Sequence, residues 1–303
     1  MSDYSIRDLE RDYYLGSYQT CISKANSMPV CRESFYYMCL SYCHMRKFGD
    51  LERELARSIS DEDLGEDEDG NDFGTTIFDM IKAFAVDVTA SDTDDDLVDE
   101  CPKSVKIVEQ LEATKALKAG DELSRILAAA IYARHKLYPK ALQVIDRLDS
   151  LRVGYSRLII YIMMNRGDLA ENEVAKMHKM DASAPLTDLA TAQAFLANRN
   201  PTQAWRIADN LRDRFRPSPL LNNLLTAAAI CLGEYERAKE FCEESLDMDN
   251  DNLEALINMV HILSTLNASE QVLVRNLDRL KALYPKHEFV KQLESIPAEL
   301  AAL

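Results

Sequence analysis

Residues 219–252 read PLLNNLLTAAAICLGEYERAKEFCEESLDMDNDN. Apolar residues fall at helical spacing on both sides of Gly233-Glu234, which predicts two amphipathic helices joined by a tight turn. Leu225, Gly233, Tyr235, Ala238, Phe241 and Leu246 mark the packing and turn positions. Ala238 has counterparts 34 residues apart at Ala204 and Ala170, and Val272 takes the next step at the same interval.

Thirty-four residues is the period of the tetratricopeptide (TPR) repeat, a helix–turn–helix unit that buries its apolar face only by stacking on neighbours. The alanine marks the start of the second helix, where a small side chain lets two backbones approach. Unit 185–218 shares the phase through Phe195, Ala204 and Leu211, and unit 151–184 through Tyr161, Ala170 and Met177. Unit 253–286 carries Leu256, Met259, Leu263 and Leu280. Residues 122–150 repeat the pattern around Ala141, but Ala141 to Ala170 is only 29 positions, which predicts a shortened second helix or turn.

The expected architecture is an all-α, right-handed TPR-like superhelix forming one solenoid over 1–303. Helical pairs at 2–60 open it, and 61–121 form a degenerate region with two acidic loops. Regular repeats follow over 122–286, with a cap at 287–303. Within 61–121, helices are expected at about 74–88 and 103–118. Such a cap supplies the polar outer face that a terminal repeat needs.

The formal charge is −16, and 15 of it lies in two runs: eight acids in 61–72 and seven in 87–100, with no base in either. Both read as solvated loops, with recruitment of a basic partner as the other reading. The remaining body is near neutral, so nucleic acid is a poor partner. The N-terminal MSDYSIRDLERDYY lacks an apolar signal core, and Leu158–Met164 is too short to span a bilayer. These features and seven cysteines without a disulfide framework point to a reducing, cytosolic setting.

No catalytic, cofactor or metal signature emerges. Cys39 and Cys43 stand one helical turn apart among Phe35, Met38, Leu40 and Tyr42, the pattern of core cysteines. Run 61–72 places Gly65 where a calcium loop needs its first carboxylate. His135, His178 and His261 lie on predicted helices without an adjacent nucleophile. The reading is of a non-enzymatic protein.

The inner, concave face is the candidate binding surface. Its positions are Ile126, Ala130, Ala133; Tyr155, Ile159, Ile162; Leu189, Gln193, Leu196; Asn223, Ala227, Ile230; and Ile257, His261, Ser264. The absence of Lys and Arg excludes the carboxylate clamp of chaperone-binding repeats. Eleven of the 15 are apolar, which predicts that an apolar segment of a protein partner occupies the channel. A superhelix that fills its own interior is the alternative.

The stretches YYLGSYQTCISKA (13–25) and RKFGDL (46–51) resemble the opening of the ε subunit of coatomer, the COPI vesicle coat. The similarity continues through AAAIYARHKLYPKALQ (128–143), RGDLAENEVAKMHKMD (166–181), LTDLATAQAF (186–195) and the repeat at 219–252, and is weak near 61–121. The resemblance implies a coat component on the cytoplasmic side of Golgi membranes and COPI vesicles, serving retrograde Golgi-to-ER and intra-Golgi transport. It implies binding to the C-terminal region of α-COP, with β′-COP in the same subcomplex, and only indirect membrane contact. A TPR adaptor or co-chaperone of another cytosolic complex is the alternative.

Overall fold

Most of the helix pairs start with a helix whose first turn is capped by the side chain that precedes it. In a computed structural model, residues 5–29, 31–58, 73–90, 103–113, 121–285 and 287–293 are described. The described residues form helices and turns, without strands. The helices come in pairs: α1 (Ile6–Tyr14) with α2 (Tyr18–Ala25), α3 (Arg32–His44) with α4 (Phe48–Ser58), and α5 (Phe73–Ala90) with α6 (Lys103–Ala113). Next are α7 (Glu122–Arg134) with α8 (Tyr138–Val144) and α9 (Leu151–Met163) with α10 (Gly167–Met180). The last three are α11 (Pro185–Ala197) with α12 (Pro201–Phe215), α13 (Pro219–Leu232) with α14 (Tyr235–Met248), and α15 (Leu253–Thr265) with α16 (Glu270–Leu283).

Ser5, Asp121, Ser150, Ser218 and Asn252 each accept a backbone N–H in the first turn of their helix, satisfying donors that would otherwise be orphaned. The first helices of most pairs end in a left-handed residue followed by a paired backbone closure, the Schellman motif. Lys47 N–H donates to Tyr42 O at 3.0 Å, Arg166 to Tyr161 at 2.9 Å, Asn200 to Phe195 at 2.8 Å and Glu234 to Ala229 at 2.9 Å. The left-handed residues are Gly16, Arg46, Lys136, Asn165, Arg199, Gly233 and Asn267. The turn is therefore specified by backbone geometry more than by residue type.

The second helix begins two residues after the left-handed one in all of these pairs but the last. Its fourth residue then points into the pair: Cys21, Ala141, Ala170, Ala204 and Ala238 are fully buried, and Leu51 nearly so. Between Asn267 and α16 there is one additional residue, Ser269 being the N-cap. One extra residue turns the helix by roughly 100°. Val272 consequently faces solvent at 45% exposure, and Leu273 packs against the core instead. The 34-residue step is continuous in sequence at Val272, but the contact it marks elsewhere is not made there.

The short interval from Ala141 to Ala170 reflects α8, which has only 7 residues against 14 in α10 and α14. Helices α5 and α6 cover the two expected stretches, with 114–118 outside the described residues. The acidic run 61–72 and residues 91–100 of the second run also lie outside them.

Two compact units emerge from the packing. The first comprises Met1–Thr89 and Asp96–Ala190, and the second is built on Thr191–Leu303. In the first unit, Leu9, Tyr37, Leu40, Ile81, Ile131 and Tyr132 centre a continuous core. Cys39 and Cys43 belong to it, with burial pushing the Cys43 thiol up to about 12. In the second unit, Ala238, Cys242, Leu256, Ile262 and Leu280 form the core, and Tyr284 and Val290 close it from the C-terminal side. Residues 294–303 of the expected cap lie outside the described residues.

Candidate functional site

The inner-face positions fall into two groups once their burial is known. In the first unit, Ile126 and Ala133 on α7 are 8% and 4% exposed, and Leu189 is fully buried. In the second, Asn223 is 5% exposed and works inside the chain: its amide donates to Asn252 Oδ1 at 2.9 Å and Glu254 Oε2 at 3.2 Å, and it accepts from Ser245 Oγ at 2.8 Å. Ile126, Leu189 and Asn223 therefore offer almost no surface to a partner. Side chains on closely spaced helices fill that space, so apolar type and helical phase do not separate them from lining residues.

Among the described inner-face positions of the first unit, Ala130 on α7 is half-buried and a longer apolar stripe lies on α9. Ile159 and Ile162 are half-buried and Met163 is 43% exposed, all at the spacing of one helix face from Tyr155. Ser150 caps this helix, and Gly154 lets it approach α10, with Met177 beneath. In the second unit, Gln193 and Leu196 on α11, Ile230 on α13 and Ile257 on α15 are half-buried, while His261 is exposed. Ile230 and Ile257 lean on the local core, and the His261 ring stands 6.1 Å from that of Tyr235.

The N-terminal end of the α9 stripe is occupied. The ring of Tyr14 on α1 meets that of Tyr155 edge-on at 5.4 Å. One turn earlier, Arg152 Nε lies 2.9 Å from Glu122 Oε1 and 4.0 Å from Glu10 Oε1, and its Nη1 donates to Tyr37 OH at 3.3 Å. Burial pushes the Glu10 carboxyl up, against the pull of Arg152. The Asp181 carboxyl is held below the usual range, chiefly by Ser183 hydrogen bonds and more weakly by the Arg7 charge. Sequence reasoning missed Arg152 and Tyr14. The available signal was a lone arginine at the head of an otherwise apolar face, which demands carboxylate partners from other helices.

A second polar cluster surrounds Asp87, 4% exposed at the end of α5. Arg134 Nε donates to it at 2.6 Å, Ser104 Oγ at 2.7 Å, and His135 Nε2 lies 2.5 Å away. His135 is thus a fastening residue at the end of α7, not an ordinary helix position. Among the described residues, no cluster of His, Cys, Asp or Glu is arranged to hold a metal ion, and no helix is long and apolar enough to cross a membrane.

Capped helix pairs in this register, presenting an apolar stripe, define a TPR-like helical-repeat protein. The solved APC/C hetero-tetramer Cut9–Hcn1 shares the fold, with a TM-score of 0.58 over 92% of this chain and 52% of that one, at 14% identity. The model of the coatomer epsilon subunit family matches residues 71–302, and the chain belongs to that family.

The coatomer subunit epsilon of Dictyostelium discoideum is 28% identical over 178 residues, covering 57% of this chain and 59% of that protein. The Caenorhabditis elegans subunit is 28% identical over 194 residues, covering 63% and 66%. Coatomer subunit epsilon-2 of Arabidopsis thaliana aligns over 294 residues at 23% identity, covering 95% and 92%.

Proposed function

We propose that this coatomer subunit binds the C-terminal region of α-COP through the α9 stripe, with β′-COP in the same subcomplex. The observation that carries the reading is the row Tyr155, Ile159, Ile162 and Met163, an apolar helix face left half-open in the first unit. A half-open apolar row is the feature that a partner's side chains cover with most gain. Leu196, Ile230, Ile257 and His261, with Gln193, are proposed as a similar surface on the second unit. Membrane attachment would be indirect, through the coat, on the cytoplasmic side of Golgi membranes and COPI vesicles. The transport steps served would be Golgi-to-ER and intra-Golgi.

The test is calorimetric titration of purified α-COP C-terminal region against Ile159→Asp and Ile162→Asp. Each carboxylate reaches water in the free protein and is desolvated on binding, so affinity should fall by about 2–4 kcal/mol with melting unchanged. Full affinity in both variants would overturn the proposed face.

A further inference from the structure

A stacked-repeat chain makes contacts only between neighbouring repeats. Helix α1 breaks that rule by touching α9, at the first position of the stripe assigned to the partner. We propose that α1 is an intramolecular occupant of the docking face, and that a partner segment with an apolar side chain displaces the Tyr14 ring from Tyr155. This inference rests on the docking reading above and adds its regulation.

The two sides of α1 are unequal. Toward its own pair, Leu9 is fully buried and Asp12 accepts from Lys24 Nζ at 2.5 Å, so that side is firmly seated. Toward α9, the Tyr14 ring meets that of Tyr155 and the Glu10 carboxylate stands 4.0 Å from the Arg152 guanidinium. Parting the helices leaves no charge stranded. Arg152 retains Glu122 at 2.9 Å and the Tyr37 hydroxyl, while Glu10 regains water. Tyr14 keeps its contacts with Tyr13 and Tyr37. The contact therefore covers the Tyr155 end of the stripe alone, and a partner side chain seated on Ile159 and Ile162 competes with it there.

The experiment measures affinity for the α-COP C-terminal region in three forms of the full chain. Tyr14→Ala and Glu10→Arg each loosen the α1–α9 contact, the second by repelling Arg152. Either should bind roughly three- to tenfold tighter than wild type, because less of the free protein is covered. A chain with Glu10→Cys and Arg152→Cys, in a background of Cys31→Ser, Cys101→Ser and Cys231→Ser, is joined by a short bis-maleimide. The joined form should bind at least about tenfold more weakly than the same variant left unjoined. Equal affinity of the joined and unjoined forms, with Ile159→Asp still weakening binding, would overturn the occupant role and leave the docking face standing. Unchanged binding by Ile159→Asp would instead remove the docking face, and this inference with it.

Discussion

The carboxylate of Asp87 accepts a hydrogen bond from Arg134 Nε at 2.6 Å, across 47 positions of the chain. With Ser104 and His135 on the same carboxylate, one buried side chain fastens α5 and α6 to the end of α7. Asp87→Asn should cost about 2–4 kcal/mol, since it removes the charge that Arg134 and its neighbours are arranged to meet. Chemical denaturation of the two proteins measures it, and a loss below 0.5 kcal/mol (roughly that of an ordinary surface change) would contradict the assignment.

The same residue gives a pH dependence. Burial pushes the Asp87 carboxyl up, but hydrogen bonds from His135 and Ser104 and the Arg134 charge outweigh it and hold it below the usual range. A carboxyl depressed in the folded state stabilises above its unfolded pKa, about 3.9, and that contribution is lost as pH falls through the folded value. Melting temperature should thus fall more steeply for wild type than for Asp87→Asn on acidification below about pH 4. Parallel curves would show that Asp87 is not ionised in the folded chain.

Val272 and Ala238 share a sequence phase but not an environment. Ala238→Glu should destabilise by several kcal/mol, because a fully buried helix contact must accept both volume and charge. Val272→Glu, at 45% exposure, should stay within about 0.5 kcal/mol of wild type. Similar melting of the two variants would refute the shift in register at α16.

The left-handed turns make a matched pair of expectations. Gly233 has φ 77°, and a Cβ placed there would have nothing within 4 Å, so Gly233→Ala meets only backbone strain and should lose about 1 kcal/mol. Arg199 has φ 58°, and Arg199→Gly relieves the corresponding strain at some cost in chain entropy, for a net gain of about 0.5 kcal/mol. Thermal melts of both decide it, with opposite signs required.

Gly154 is tight for a different reason. A Cβ there would stand 2.9 Å from Met177 Cγ, in the middle of a fully buried side chain. The helix propensity of alanine favours the change by about 1 kcal/mol, while overpacking opposes it by roughly 1–3 kcal/mol. Gly154→Ala should be destabilising overall, and combining it with Met177→Ala should cost clearly less than the sum of the single changes. Strict additivity would show that the two positions do not touch.

The repeat architecture was legible in the sequence because a small residue at a helix crossing leaves a periodic mark, as at Ala170, Ala204 and Ala238. Positions at which the structure departs from the period were not. The register of α16 depends on one extra residue after Asn267, and the turns tolerate Arg46 and Arg199 where a motif search looks for glycine. The candidate face was only half legible. Ile159 and Ile162 are half-buried, whereas Leu189 and Ile126 have the same type and phase and are sealed by neighbours. Three-dimensional crowding, which no period encodes, separates them. The Tyr14–Tyr155 and Asp87–Arg134 pairs join distant segments and left no local trace.

The contact between Tyr14 and Tyr155 also sets an order of events during biosynthesis. Translation adds about 5–20 residues per second, so the ribosome needs on the order of 10 s after making Tyr14 before Tyr155 exists. The earlier helical pairs can close as they emerge, each on its predecessor, while the exposed edge of Tyr14 waits in water. A nascent chain halted before α9 would keep Tyr14 packed on Tyr13 and Tyr37 with its remaining edge in water, and that edge closes only when the ninth helix arrives.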